Sequence, residues 1–314
     1  MRSSTATATT ATDNSPAGGD YRYTGRFAPS PTGALHLGSL LAACASFLDA
    51  RSHAGQWLVR IEDLDARSRP DWAGKILRTL DTFGLHWDGP VAYQSGRTAH
   101  YRAALECLRA AGETFECSCS RAELVRVAAC TRGYPGTCRS GPRRAGPTAT
   151  RMRVEASRTI RFTDRFQGPY TCPAGTLGDV IVRRRDGVFA YHLAVVVDDA
   201  LQGVTDVVRG ADLLASTGWQ ILLQEKLHLP QPRYAHLPLV TEPGGEKLAK
   251  SRRSVALRPE RAAAQLIATL RLLNQAPPAA IERASVREVL DWACAHWNPA
   301  AFHGVRTVAA DGTA

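Results

Sequence analysis

Gly25-Arg26-Phe27-Ala28-Pro29-Ser30-Pro31-Thr32-Gly33-Ala34-Leu35-His36-Leu37-Gly38-Ser39 packs a strand end, a turn and a helix start into one short stretch. Tyr21–Ala28 reads as a strand, and Pro29–Gly33 as the turn that ends it. A helix pattern begins at Leu35: Leu40, Leu41, Cys44, Phe47 and Leu48 fall on one helical face, and Gly55 marks a stop. Trp57–Ile61 then reads as a second strand with a polar end, Glu62-Asp63-Leu64-Asp65. Strand, turn, helix and strand make a βαβ unit with parallel strands. Ligands of such sheets bind beyond the carboxyl ends of the strands, here Arg26–Ser30 and Glu62–Asp65. Backbone N–H groups at the helix start can hold an anion, with His36 in reach of a phosphate. Gly38 lets a flat base or ribose approach the backbone. Gly33-x-x-x-x-Gly38-Ser39 lacks the lysine of a P-loop. A bare βα turn would not need Pro, Ser, Pro, Gly, His and Gly at these offsets.

Downstream, Trp72–Phe83 and Ala99–Ala110 are helical, with apolar faces Trp72/Ile76/Leu80/Phe83 and Ala104/Leu105/Leu108. Periodicity breaks over Cys117–Cys138, Pro142–Pro147 is a loop, and Arg151–Phe166 reads as short strands. The apolar run Val188–Val197, ending in Asp198-Asp199, suits either a buried strand or a buried helix. Asp212–Leu227, Ala262–Leu273 and Val286–Trp297 are helical, and Pro243–Lys247 is a mobile glycine-rich loop.

The chain of 314 residues is long enough for two or three compact units. No apolar stretch is long enough for a membrane span, and Met1–Asp20 reads as a disordered tail rather than a secretory signal. A cytoplasmic enzyme is expected. The net charge of +10 favours a polyanionic partner, although a charged surface also serves solubility. Four of the eight cysteines, Cys117, Cys119, Cys130 and Cys138, lie within 22 residues. In a reducing compartment such a cluster points to metal before disulfide. Cys44, Cys107, Cys172 and Cys294 read as buried packing residues, and His53, His86, His100, His228 and His236 have no constellation that gives them a role.

Gly245-Glu246-Lys247-Leu248-Ala249-Lys250-Ser251 follows the first motif by about 210 residues. Two lysines on such a loop can close over a triphosphate and stabilise departing pyrophosphate. Together the two segments resemble the HIGH and KMSKS signatures of class I aminoacyl-tRNA synthetases. With Val59–Asp65, Tyr191–Asp199 and Val208–Leu213 they are similar to the glutamyl-tRNA synthetase catalytic core over roughly residues 21–260. The chain departs from those signatures at Ser39, where the second His would stand, and at Ala249, which removes one hydroxyl donor.

The resemblance implies an α/β class I synthetase Rossmann-like nucleotide-binding fold with a parallel sheet, a zinc-containing insertion and a short C-terminal helical region. It divides the chain into a tail (1–20), two halves of the catalytic domain (21–115 and 176–257), an insertion (116–175) and a helical end (258–314) without an anticodon-binding domain. It places glutamate among Arg26, Phe27, Ala28, Pro29, Ser30, Glu62, Tyr191 and Arg209: the arginines for carboxylates, Glu62 for the ammonium. Glutamate carries two carboxylates and one ammonium, so two arginines and one acid are its complement. His36, Gly38, Lys247 and Lys250 are the implied catalytic residues, with His36, Gly38 and Lys250 on ATP and its Mg²⁺. The α-carboxylate attacks the α-phosphorus, giving glutamyl-adenylate and pyrophosphate, with no protein nucleophile.

The Cys117-x-Cys119…Tyr134-x-x-x-Cys138 pattern suits tetrahedral zinc. It resembles the zinc site of bacterial glutamyl-Q tRNA(Asp) synthetases, which implies one structural zinc on Cys117, Cys119, Tyr134 and Cys138. Cys130 remains open as a ligand in place of Tyr134. Only 63 residues follow Ser251, the short architecture of that family. The implied partners are L-glutamate, ATP and queuosine-containing tRNA(Asp), bound by a monomer. A truncated glutamyl-tRNA synthetase charging tRNA(Glu) and a HIGH-type ligase acting on a small molecule are the alternatives.

Overall fold

A computed structural model describes residues 21–128, 133–241, 257–305 and 307–309. The tail, Cys130 and the segment holding Lys247, Ala249, Lys250 and Ser251 lie outside the described residues.

The first unit is β1 (Thr24–Phe27), α1 (Leu37–Ser52) and β2 (Gln56–Ile61), with β1 and β2 parallel from Thr24↔Gln56 to Phe27↔Val59. The helix starts at Leu37 rather than Leu35, with His36 as its N-cap residue. Gly55 is required by close approach: a Cβ there would sit 2.6 Å from the Tyr23 carbonyl oxygen, and Ala54 takes the left-handed turn at φ 49°. Next come α2 (Pro70–Thr82), β3 (Ala92–Tyr93), which extends the sheet parallel to β2, and α3 (Thr98–Ala110).

Then β4 (Thr114–Cys117), α4 (Arg121–Ala128), β5 (Ala149–Met152), the antiparallel hairpin β6 (Thr159–Asp164) and β7 (Gly168–Pro173), the single turn α5 (Ala174–Leu177) and β8 (Val180–Arg183) follow. β4, β5 and β8 form one antiparallel sheet. The Val188–Val197 run resolves as a helix, α6 (Tyr191–Leu201), whose Leu193–Asp199 are all buried. β9 (Asp206–Gly210), a 3₁₀ turn at Ala211–Leu213, α7 (Leu214–Lys226) and β10 (Arg233–Leu237) complete a second βαβ unit.

β9 lies beside β1. The Thr205 N–H donates to the Thr24 carbonyl at 2.9 Å, and the Thr24 N–H donates to Thr205 Oγ1 at 2.9 Å. The central strands therefore run β3-β2-β1-β9-β10, and the chain turns outward in opposite directions from β1 and β9. Crevices in α/β sheets open at such a reversal, off the strands' carboxyl ends.

β11 (Leu239–Thr241), α8 (Ala262–Leu272), α9 (Val286–Ala295) and β12 (Thr307–Ala309) end the chain. The last strand pairs in parallel with β11, so the C-terminal region contains a strand besides its helices. α1 is buried almost all round because α8 and α9 cover the side turned away from the sheet. Fully buried Leu40 and Leu48 each contribute about 2 kcal/mol of burial free energy there.

One charge sits inside this apolar helix. Asp49 is wholly buried and takes both terminal nitrogens of Arg165 (2.6 and 3.1 Å), the Tyr23 hydroxyl (2.5 Å) and the Trp297 indole N–H (3.1 Å). It thus ties α1 to β1, to the β6–β7 turn and to the C-terminal region. Burial pushes its carboxyl up, but the Arg165, Tyr23 and Trp297 donors outweigh that and hold it below the ordinary carboxylate range.

Candidate active site

The turn after β1 is fixed by two backbone bonds. The Glu62 N–H donates to Pro29 O at 2.9 Å, and the Arg69 N–H to Pro31 O at 3.0 Å. Both strand ends therefore sit side by side, with Ala28 and Pro29 half-buried and Ser30 exposed at the rim. Phe27 points its ring into the core against Trp57, so only its backbone faces this end. His36 is half-buried at the start of α1. A Cβ on Gly38 would lie 3.1 and 3.3 Å from His36 ring atoms; the glycine leaves room for that ring.

Arg26, on β1, is buried and pairs through Nε with Asp199 of α6 at 3.3 Å. Arg209, on β9, is buried with Nη1 3.5 Å from the Tyr191 hydroxyl, Nη2 2.8 Å from Thr217 Oγ1 and Nε 3.0 Å from His236 Nε2. Tyr191 opens α6, the helix above both strands. Its phenol is raised by burial and then modulated by Arg209, Glu62, Arg26 and Asp199. Four of the residues expected at the glutamate pocket, Arg26, Glu62, Tyr191 and Arg209, are thus close enough to act on one another electrostatically.

Glu62 is buried, and one of its carboxylate oxygens has no hydrogen-bond partner among the described residues. Burial raises it to about 7, against the pull of Arg60 and Arg26. Arg60 Nη2 stands 3.6 Å from that oxygen, beyond hydrogen-bond distance, so an incoming donor would still relieve the carboxylate.

Beneath the site lies an ionic layer that sequence reading left unassigned. Wholly buried Arg60 reaches Asp199 at 2.8 Å, Asp198 at 3.8 Å and Gln202 at 2.7 Å. Asp198 also accepts from Gln94 (2.9 Å), Arg97 (2.5 Å) and Tyr101 (2.7 Å). The signal was present as two acids ending an apolar run. His236, left without a role on sequence reading, is one of the Arg209 partners. Cys107 is exposed on α3 and Cys294 half-buried, so burial accounts for Cys44 and Cys172 only.

The cysteine cluster forms a second locality. The sulfurs of Cys117, Cys119 and Cys138 lie within 4.8 Å of one another. The Tyr134 hydroxyl sits 3.4 Å from Cys117 Sγ and 3.6 Å from Cys119 Sγ, and Cys119 Sγ is 3.6 Å from Cys138 Sγ. Tetrahedral zinc with Zn–S of about 2.3 Å and Zn–O of about 2.0 Å sets its ligands about 3.5–3.8 Å apart, so this donor set fits. The Arg151 guanidinium lies over the Tyr134 ring at 3.9 Å, well placed to offset negative charge on the cluster. Burial pushes the Cys119 thiol up to about 11. At Cys138 burial is outweighed by hydrogen bonds with Tyr134, Ser118 and Cys119, which bring it down to about 6. Gly178 docks this segment, since a Cβ there would lie 2.3 Å from the Tyr134 nitrogen.

Comparison with known proteins bears on the family and the fold. The family model for the catalytic domain of class I tRNA synthetases (E and Q) matches residues 23–274. The glutamyl-Q tRNA(Asp) synthetase of Aromatoleum aromaticum is 54% identical over 284 residues, covering 88% of this chain and 89% of the relative. That of Pseudomonas aeruginosa is 51% identical over 278 residues, covering 88% and 94%. The crystal structure of a glutamate tRNA ligase from Elizabethkingia meningosepticum, in complex with its amino acid, superposes with a TM-score of 0.76 at 25% identity, covering 93% of this chain and 67% of that one. No helix among the described residues is long and apolar enough to cross a membrane. The chain belongs to the glutamyl-Q tRNA(Asp) synthetase family of class I tRNA synthetases.

Proposed function

We propose that this chain activates L-glutamate with ATP to glutamyl-adenylate and transfers the glutamyl group to the queuosine base in the anticodon loop of tRNA(Asp). The observation that carries the chemistry is the placement of Arg26, Arg209 and Glu62 at the ends of adjacent central strands, all buried. Two guanidiniums answer two carboxylates, and Glu62 answers the ammonium. The α-carboxylate oxygen attacks the α-phosphorus of Mg²⁺-bound ATP and pyrophosphate leaves. The acceptor on the queuosine base then attacks the acyl carbon, releasing AMP. His36 and the N–H groups at the start of α1 hold the phosphates in this reading. Lys247 and Lys250 stabilise the leaving pyrophosphate.

Transfer of radiolabelled glutamate to tRNA(Asp) with and without queuosine, and to tRNA(Glu), tests this. Label on the queuosine-containing RNA alone is expected. Label on tRNA(Glu) would replace the reading with aminoacylation, and no glutamate-dependent pyrophosphate exchange would end it.

Glu62 adds a pH dependence. Only its ionised form receives the substrate ammonium, and burial has moved that ionisation to about 7. Glutamate therefore binds more tightly as pH rises through about 7, visible as a falling glutamate KM in pyrophosphate exchange. Glu62→Gln binds glutamate more weakly and loses the trend; a wild-type KM flat from pH 6 to 8 would refute this role.

We assign one structural zinc to Cys117, Cys119, Tyr134 and Cys138, which leave no ligand position for water. Metal analysis of the purified chain is expected to give one zinc per molecule. Cys138→Ser should lose it and expose residues 117–138 to protease; a variant that retains full zinc would exclude Cys138 as a ligand.

A further inference from the structure

We infer that Asp164 and His236 are positioning residues for glutamate recognition: through one fixed imidazole tautomer they lock the Arg209 guanidinium in the orientation that receives a substrate carboxylate. The inference rests on the reading of Arg209 as a glutamate-binding residue.

The register of the second βαβ unit creates the contact. His236 on β10 stands directly opposite Arg209 on β9 in the parallel ladder. His236 is fully buried, and its Nε2 lies 3.0 Å from Arg209 Nε. An arginine Nε–H can only donate, so His236 Nε2 carries the lone pair. The ring proton is then on Nδ1, where Asp164 Oδ2 accepts it at 2.5 Å. Asp164 is itself 1% exposed, at the end of the β6 strand, 72 residues earlier in the chain. Its other oxygen accepts three backbone N–H groups, from Phe166 (3.1 Å), Gln167 (2.9 Å) and His236 (3.0 Å). Those bonds favour the ionised carboxylate and forbid rotation of the group. An acid, an imidazole and a third group in series fix the tautomer in the same way as in hydrolase triads, although no proton moves here.

The lock leaves the business end of the arginine available. Nε is committed to His236, one N–H of Nη2 to Thr217 and one of Nη1 to Tyr191. Each terminal nitrogen keeps a second N–H, and this pair matches a carboxylate fork. The Arg209 guanidinium also lies 5.2 Å from the Tyr234 ring centroid, which limits its movement on that face. Without the His236 acceptor, the buried Nε–H has no partner and the fork loses its fixed angle.

Asp164→Asn is the informative variant. The three backbone N–H groups require an oxygen, so the asparagine carbonyl stays with them and its NH₂ faces His236 Nδ1. The ring proton must then move to Nε2, against the Arg209 Nε–H. His236→Asn places an amide nitrogen near the Nδ1 position and keeps the Asp164 bond, but removes the acceptor. His236→Gln places its side-chain oxygen near the Nε2 position and restores it.

The test is ATP–pyrophosphate exchange with the full chain, varying glutamate and ATP separately, beside thermal melting. Asp164→Asn and His236→Asn should raise the glutamate KM by about ten- to a hundredfold, the range for a lost hydrogen bond to a charged group, with the ATP KM within about twofold. His236→Gln should restore most of the glutamate KM. The inference is overturned if Asp164→Asn and His236→Asn both keep the wild-type glutamate KM. It is equally overturned if glutamate and ATP KM rise together with no rescue by glutamine, which marks a merely structural role. Should Asp164→Asn not fold, the contrast between asparagine and glutamine at 236 decides. Arg209→Lys separates the two levels: an unchanged glutamate KM removes Arg209 from the pocket and this inference with it. A raised KM there, with wild-type behaviour at 164 and 236, removes the inference alone.

Discussion

Replacing Arg209 by alanine lowers kcat/KM for glutamate by on the order of a hundred- to a thousandfold, while the ATP KM stays near its wild-type value. Removing one partner from a buried, bidentate charge pair costs about 3–5 kcal/mol, of which the surrounding dipoles recover part. Here the surroundings are Thr217, Tyr191 and His236, all aimed at the guanidinium and none able to replace its charge. Arg26 does not take over, because Asp199 at 3.3 Å and the Val208 carbonyl at 3.5 Å hold its guanidinium in place, where it answers the other carboxylate. Lysine at 209 recovers only part of the loss, since an ammonium keeps the charge without the planar fork. Pyrophosphate exchange at varied glutamate measures this directly; a KM within twofold of wild type would remove Arg209 from substrate recognition.

Asp49→Ala destabilises the fold by about 2–4 kcal/mol, since a mostly buried cation loses its main partner and keeps only Asp206 Oδ1 at 3.2 Å. For a domain of this size the melting temperature falls by on the order of 10 °C. The side chain holds Arg165, Tyr23 and Trp297 together from three separate parts of the chain, and each loses a buried partner at once. The effect depends on pH. The Asp49 carboxyl is held below its ordinary value in the folded protein. Its contribution is therefore complete above the ordinary carboxylate range and is lost as pH falls through the depressed value. Wild type and variant should converge in stability on acidification and differ most near neutral pH. Equal melting points at pH 7 would show that Asp206 alone suffices to hold Arg165.

The first βαβ unit was legible because its signals are local. A helical stripe from Leu40 to Leu48, a proline-glycine turn and a strand with an acidic end all lie within about 40 residues. The proposed glutamate pocket could be read only through resemblance, because Arg26, Glu62, Tyr191 and Arg209 are single residues dispersed over the chain. The Val188–Val197 run could not be resolved by pattern, because α6 is buried on most of its faces and so shows no polar stripe. His236 was missed for a different reason. Its partners, Asp164 and Arg209, are 72 and 27 residues away, and only the β9–β10 register and the packing of β6 against β10 bring them together. Asp49 did leave a trace, as the one acid among the apolar residues of α1, but nothing nearby names its partner. The lysines at 247 and 250 remain a reading of the sequence, outside the described residues.

The pairing of β12 with β11 bears on how the molecule is made. Leu239, at the start of the strand that leads into residues 242–256, finds its ladder partner in Thr307. A ribosome that has finished both βαβ units has still not supplied that neighbour. The strand feeding the lysine-bearing segment completes its pairing only when residues 307–309 have been synthesised. The β11 edge therefore waits for residues 307–309, just as the outer side of α1 waits for α8 and α9.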